Sequence, residues 1–314
     1  MLIGCLGYRF FLPLKPSLPW LIFFMLFFTF CKVNPLDLRL HKWHGVVLAT
    51  QILFSLATYA GIIYLTHDAI LAQGMLMCFI MPTATAAPII AGKLGGSIQN
   101  LTTFTLLSNF ATAIIVPAAF PLIYPAADMT FWPAFLLIFS RVAPLLLGPF
   151  FSAWLLRIIY QRRTKKQFVL SQQAAQVPFY LWVASIIVLS SVVTQTVLSS
   201  YTSLLSTMLW LLVGSFFACL AQFGLGKLIG YKMPAASKGR DYQDVLINPA
   251  AAPKTMEGVS SITAGQAFGQ KNTSLGVWMA NTYLDPMASL GAAAYIIWQN
   301  LFNSLQLTIA AHKK

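Results

Sequence analysis

The sequence predicts an all-α polytopic membrane protein of ten spans, the first one short, and three observations predict it. Of its 314 residues 58% are hydrophobic and only 9% are charged, whereas a soluble domain carries roughly a quarter charged residues. Apolar runs of about 20 residues, the length that crosses a bilayer, recur along the whole chain. Lysine and arginine, which give a net charge of +13, fall in alternate connections between those runs. The basic charge is therefore a topology signal rather than a surface for nucleic acid. Cys5, Cys31, Cys78 and Cys219 stand singly in apolar runs, without CxxC or Cys/His spacing. Neither a disulfide framework nor a metal site is indicated.

Taken in order, the opening MLIGCLGYRFFL is apolar but only about a dozen residues long, too short to cross alone. No charged n-region precedes it and no small-residue cleavage site follows. It reads as the second half of a first helix whose start is absent or unusually short. Further spans are expected over residues 18–33, 45–65, 69–94, 101–123, 131–160, 179–199, 204–229, 260–283 and 287–310. Lys32, Arg39 and Lys42 follow the second span, Lys93 the fourth, and Arg157, Arg162, Arg163, Lys165 and Lys166 the sixth. Lys227, Lys232, Lys238, Arg240 and Lys254 follow the eighth, and Lys313 and Lys314 end the chain. The alternate connections hold almost none, apart from Lys15. Basic loops face the cytoplasm, so both termini are expected on the cytoplasmic side of a bacterial inner membrane. The polar connection 231–258 reads as a flexible cytoplasmic loop with a short amphipathic piece over 242–247 and no catalytic role.

The ninth span is interrupted: SSITAGQAF, then GQKN, then TSLGVWMANTY. Lys271 has about a dozen residues on each side, some 18 Å of helix, which puts snorkelling to either surface out of reach. A lysine at that depth needs a partner, a cavity or water. Gly265 and Gly269 let the backbone leave helical geometry there. The fourth span is interrupted as well, by Pro82 and Pro88 in MPTATAAP, with Thr83 and Thr85 placed to satisfy the freed backbone groups. Broken helices at corresponding places in two five-span halves point to a midplane binding site. Free N–H groups at the starts of the second half-helices attract anions. The substrate-binding candidates are thus Thr83, Thr85 and Ala86 at one break and Gln270, Asn272 and Thr273 at the other.

These stretches, MPTATAAPIIAGKLGG and GQAFGQKNTSLGVWMA, together with LTTFTLLSNFATAIIVP over residues 101–117, resemble the bile acid:sodium symporter family. The likeness covers nearly the whole chain apart from the shortened start and the 231–258 loop. It implies two inverted five-helix repeats arranged as a panel domain (residues 1–44 and 131–203) and a core domain (residues 45–130 and 204–314). It also implies that spans four and nine cross at their breaks and that a cargo anion binds in the crevice between the domains. The sequence departs from the family at the sodium ligands. Ala87 and Pro88 stand where the family has a Ser-Asn pair, Ala267 where it has a glutamate serving both ions, and Lys271 where it has a glutamine ligand. Thr105 and Asn272 match a threonine and an asparagine of the pattern, and Gln51 matches another polar ligand. A hard cation needs several oxygens, usually with a carboxylate among them, yet all seven acidic residues lie in loops or at span ends. The expectation is that Lys271 replaces one sodium ion, holding carbonyls and Gln51 as the ion would. Transport is then sodium-independent, either coupled to protons through Lys271 or uncoupled.

Among other polar residues in spans, Arg141 either attracts an anionic substrate or pairs with backbone carbonyls at the Pro144 kink. Asn109 and Ser108 lie one turn beyond Thr105 and border the site, and Gln266 flanks the second break. Gln299, Asn300 and Asn303 read as interhelical hydrogen-bonding residues. The resulting expectation is a secondary transporter of a bile acid-like or small carboxylate or sulfonate anion, working by alternating access. It is not an enzyme and has no cofactor. Its partners are the anion and the lipid bilayer, with no nucleic acid, and the chain is a monomer or weak oligomer. A sodium-coupled anion symporter is the alternative, followed by a non-transporting membrane sensor.

Overall fold

The computed structural model describes residues 1–125, 129–234 and 255–312. The amphipathic piece expected over 242–247 lies outside these residues. Among the described residues the chain is helical with no strand. The α-helices are α1 (Leu2–Leu6), α2 (Tyr8–Phe11), α3 (Leu18–Phe30), α4 (Lys42–Thr66), α5 (Ala69–Ile80) and α6 (Ala87–Lys93). They continue with α7 (Ile98–Ile123), α8 (Phe131–Thr164), α9 (Val177–Lys232), α10 (Met256–Gly269), α11 (Thr273–Tyr283) and α12 (Ser289–His312).

Among the described residues six helical stretches are long and apolar enough to cross a membrane: Tyr8–Phe30, Lys42–Thr66, Ile98–Ile123, Phe131–Thr164, Ala174–Ser200 and Leu204–Lys232. Their outer faces carry exposed Trp20, Leu53, Trp132 and Trp210, while Gln51, Gln222 and Lys271 are buried. A water-soluble fold shows the opposite distribution; here lipid takes the apolar faces and polar groups find partners inside. Pro117 and Pro121 sit inside α7, and Pro144 and Pro149 inside α8. Such prolines are tolerated in membrane helices because neighbours re-satisfy the freed backbone groups.

One feature differs from the simplest reading of the sequence. The opening residues form α1 and α2, and a 3₁₀ turn over Leu12–Ser17 carries α2 into α3 as one helical run rather than two separate spans. The expected break near residue 200 is present as a kink within α9: Leu204 leaves helical geometry (φ −124°, ψ 20°), and Ala174–Ser200 and Leu204–Lys232 stand as separate spans. The two interrupted spans divide into α5 and α6 and into α10 and α11, so neither half alone reaches the length of a full crossing.

The chain forms two compact units. Unit 1 holds Met1–Asp37, Asn109–Leu205 and Ser274–Ser289; unit 2 holds Leu38–Ser108, Ser206–Thr273 and Leu290–Lys314. In unit 1, α3 packs on α8, with the rings of Phe30 and Phe150 edge to face at 5.8 Å. Arg157 ties the end of α3 to α8 by donating to the carbonyls of Cys31 (3.2 Å) and Val33 (3.0 Å). In unit 2, α4 packs on α5, and α10 packs on both α4 and α6. The turn between α4 and α5 is tight. His67 takes a left-handed conformation (φ 54°), and the Asp68 carboxylate accepts the Leu71 N–H at 2.8 Å and the Thr207 hydroxyl at 2.7 Å. Glycine permits the closest helix contacts, as expected where backbones approach without side chains. A Cβ at Gly291 of α12 would strike the Gly74 carbonyl oxygen of α5, and one at Gly230 of α9 would strike that of Ser260 in α10.

Candidate functional site

The two breaks meet inside unit 2. Residues 81–86 separate α5 from α6, and residues 270–272 separate α10 from α11. They lie side by side as a short antiparallel pair, Thr83 opposite Lys271. The Ala84 N–H donates to the Gln270 carbonyl at 2.9 Å, and the Asn272 N–H donates to the Pro82 carbonyl at 2.7 Å. Each break thus satisfies backbone groups that the other helix left open, which is how non-helical backbone persists within a bilayer. Thr83 fixes the arrangement from its side. Its N–H donates to the Ser108 hydroxyl at 3.0 Å, and its own hydroxyl donates to the Ala267 carbonyl at 2.6 Å.

The last turn of α5 shows the chemistry of the site. An α-helix ends with carbonyls that have no partner of their own. At this end the carbonyls of residues 78–81 are met by side chains. Gln222 Nε2 donates to the Cys78 carbonyl at 3.0 Å, and Lys271 Nζ donates to that of Phe79 at 3.0 Å. Gln51 Nε2 donates to the carbonyls of Met81 (3.0 Å) and Ile80 (3.3 Å). The donors come from α9, the second break and α4, so three parts of unit 2 converge on one helix end. Lys271 is 0% exposed, and its ammonium also lies over the Phe268 ring, 5.1 Å from the centroid. Among the described residues it is the only lysine, arginine or carboxylate that is buried. The negative end of the α5 dipole and the ring face are what compensate its charge. The corresponding end of α10 is capped by neutral groups instead: Tyr295 donates to the Gly269 carbonyl at 2.7 Å, beside the Thr83 bond to Ala267.

Gln299 of α12 holds the Lys271 peptide from both sides. Its Oε1 accepts the Lys271 N–H at 2.9 Å, and its Nε2 donates to the Lys271 carbonyl at 3.3 Å. Sequence reasoning treated Gln299 as an ordinary interhelical residue, and passed over Gln222 and Tyr295. Gln222 was detectable as an amide within an otherwise apolar run.

The other sequence candidates distribute as follows. Gln270, Asn272 and Thr273 are buried at the second break, whereas Thr85 is half-buried and Ala86 exposed at the first. Thr105 is buried on α7 and its hydroxyl donates to the Leu101 carbonyl at 2.9 Å. Asn109 and Arg141 belong to unit 1; Asn109 is buried, and Arg141 is exposed and within electrostatic reach of Tyr283. The start of α6 offers less to an anion than the sequence suggested. The Ala87 N–H already donates to the Ala84 carbonyl at 3.1 Å and that of Ile89 to Ala86 at 3.2 Å, while Pro88 has no N–H.

These residues do not fit a sodium ion at the α5 end. Its carbonyls face N–H donors, and Ala87, Pro88 and Ala267 bring no side-chain oxygen. Among the described residues no buried carboxylate offsets the desolvation of a cation. Among the described residues no group of three or more His, Cys, Asp or Glu side chains is placed to hold a metal. No protein-family model matches the chain, and no curated protein is detectably similar to it.

Proposed function

We propose that the protein is a secondary transporter of a small organic anion, working by alternating access without sodium, with Lys271 as a tethered cation at the paired breaks. One observation carries this reading: a fully buried ammonium, with no buried carboxylate among the described residues, bonded to the carbonyl end of a half-helix where two interrupted helices pair. A cationic cargo would be repelled there. At an effective dielectric of about 20, an ammonium attracts a carboxylate about 8 Å away by about 2 kcal/mol. The cargo's carboxylate or sulfonate would meet the start of α11 at Asn272 and Thr273, with Lys271 supplying the field. The resemblance to the bile acid:sodium symporter family supports the same reading, including inverted repeats, and the lysine and arginine distribution supports a cytoplasmic-membrane location and cytoplasmic termini.

The test is anion uptake by protein reconstituted in liposomes. Replacing sodium by potassium should leave the rate unchanged, and Lys271→Ala should reduce it at least about tenfold, as loss of a charge-assisted interaction does. Lys271→Gln, which puts a single carbonyl oxygen where the ammonium was, should acquire at most a weak sodium response, since the other sodium ligands are missing. Strict sodium dependence of the unaltered protein would replace this reading with sodium-coupled symport.

A further inference from the structure

Unit 2 contains a seam of buried amides that the transport reading leaves unused. α12 lies along α10 and the second break: Gln299 holds the Lys271 peptide, and further along Gln306 Oε1 accepts from Gln266 Nε2 at 3.5 Å. Asn303 stands between those two contacts on the same face of α12, one turn from Gln299. It is 4% exposed, and neither its Oδ1 nor its Nδ2 has a hydrogen-bond partner in the protein. Gln266 and Gln270, one helical turn apart, are buried and each leave Oε1 in the same condition. At the α5 end the oxygens of Gln51 and Gln222 are also buried without a protein partner, while their nitrogens hold carbonyls beside the one that Lys271 reaches. An ammonium has three N–H donors, and Lys271 gives one protein hydrogen bond, to Phe79. Native interiors seldom leave so many polar atoms bare. Water, making about three hydrogen bonds in such places, is what fits between amides and an ammonium. The seam opens at the half-buried Gln306, about 10 Å of helix beyond Gln299.

We infer that this seam is a water-filled path by which protons reach and leave Lys271 from the end of the molecule where α12 finishes. Its consequence for coupling rests on the proposed anion transport. An anion beside Lys271 favours the ammonium over the amine, and by linkage the ammonium form holds the anion more tightly. When the cargo leaves on the α12 side, the ammonium passes one proton to seam water, which carries it to solution as hydronium. The resulting amine keeps an N–H for the Phe79 carbonyl. It regains one proton when the emptied site faces the other side, so one proton accompanies each anion. Among the described residues the titratable side chains nearest the ammonium are the Cys78 thiol on α5 and, beyond it, Cys219 on α9 and the Tyr295 phenol on α12, all buried. α4 faces it with Gln51, which does not titrate.

Reductive methylation of the full chain in nanodiscs tests the path, with formaldehyde, hardly larger than water, and cyanoborohydride, read by mass spectrometry of the Lys271 peptide. Lys271 should be methylated. Asn303→Leu and Gln266→Leu, which take polar partners from the water, should each slow this at least about tenfold and leave exposed Lys166 unaffected. Lys271 left unmodified while Lys166 reacts to completion would overturn the inference, and so would equal rates in both leucine variants. The result on the unaltered protein stands even if a variant fails to fold. Taurocholate, whose sulfonate carries no proton at neutral pH, tests the coupling in liposomes. An external pH one unit below the internal one should drive about tenfold accumulation, the ratio for one proton per anion. Uptake without accumulation would overturn the coupling. Absence of any taurocholate uptake would count against the transport reading instead, and methylation would still decide the path.

Discussion

At Lys271 the physical question is what makes a buried ammonium tolerable without a counter-ion. A helix C-terminus carries roughly half a negative charge, and the Phe79 carbonyl delivers it at 3.0 Å. A hydrogen bond to a charged group is worth about 1.5–3 kcal/mol, and a buried carbonyl left bare costs about 1–3 kcal/mol. Lys271→Ala removes the bond and leaves room beside that carbonyl. Methylammonium supplied in the buffer should therefore enter and restore part of both thermal stability and anion uptake, whereas methanol, similar in size but uncharged, should not. If Lys271→Ala is folded and methylammonium changes neither measurement, the α5 end is not a cation site. Gln299 acts through Lys271: it holds the peptide whose side chain reaches Phe79. Gln299→Leu should slow uptake and, because the Lys271 amide loses its acceptor, speed hydrogen exchange at that amide. Normal uptake by that variant would leave Gln299 a packing residue.

At the scale of elements, the breaks were legible because proline and glycine state their backbone consequences directly. Pro82 and Pro88 bracket one break, and Gly269 precedes the other. The pairing of the two breaks, Thr83 opposite Lys271, was legible only as a geometric expectation, because nothing local in either stretch specifies a partner. The division of α9 at its kink was legible as well. The stretch Ser-Ser-Tyr-Thr-Ser at 199–203 is a polar interruption between two apolar runs, and the chain leaves helical geometry directly after it, at Leu204. Helix packing gives a sharper test. Gly291 of α12 is pressed on the Gly74 backbone of α5, and α12 carries Gln299. Gly291→Val would force the two helices apart, an overpacking that costs about 1–3 kcal/mol. It should lower the melting temperature in detergent and weaken uptake together. Gly45→Ala, where an added Cβ meets nothing within 4 Å, should leave both unchanged. A Gly291→Val protein as stable as the unaltered chain would mean that the two helices have room to move.

For the whole molecule, the distribution of lysine and arginine makes a claim about crossings that hydropathy alone does not. Six stretches qualify as spans by length and composition, and the α5–α6 and α10–α11 elements do not, because each is divided. Leu40, Lys166 and His312 are exposed and lie in or next to basic stretches. Between Leu40 and Lys166 come α4, the α5–α6 element, α7 and α8; between Lys166 and His312 come the two parts of α9, the α10–α11 element and α12. If both divided elements cross, each interval holds an even number of crossings and all three positions face one side. If either element fails to cross, its interval becomes odd and the positions separate. Leu40→Cys, Lys166→Cys and His312→Cys, each placed in a chain whose own cysteines are replaced, should therefore react with a membrane-impermeant maleimide as one group, and only after the cells are opened. Labelling of one position from outside while another stays protected would show that a divided element turns back. A site at bilayer depth, formed where both divided elements traverse the membrane, would then lose its basis.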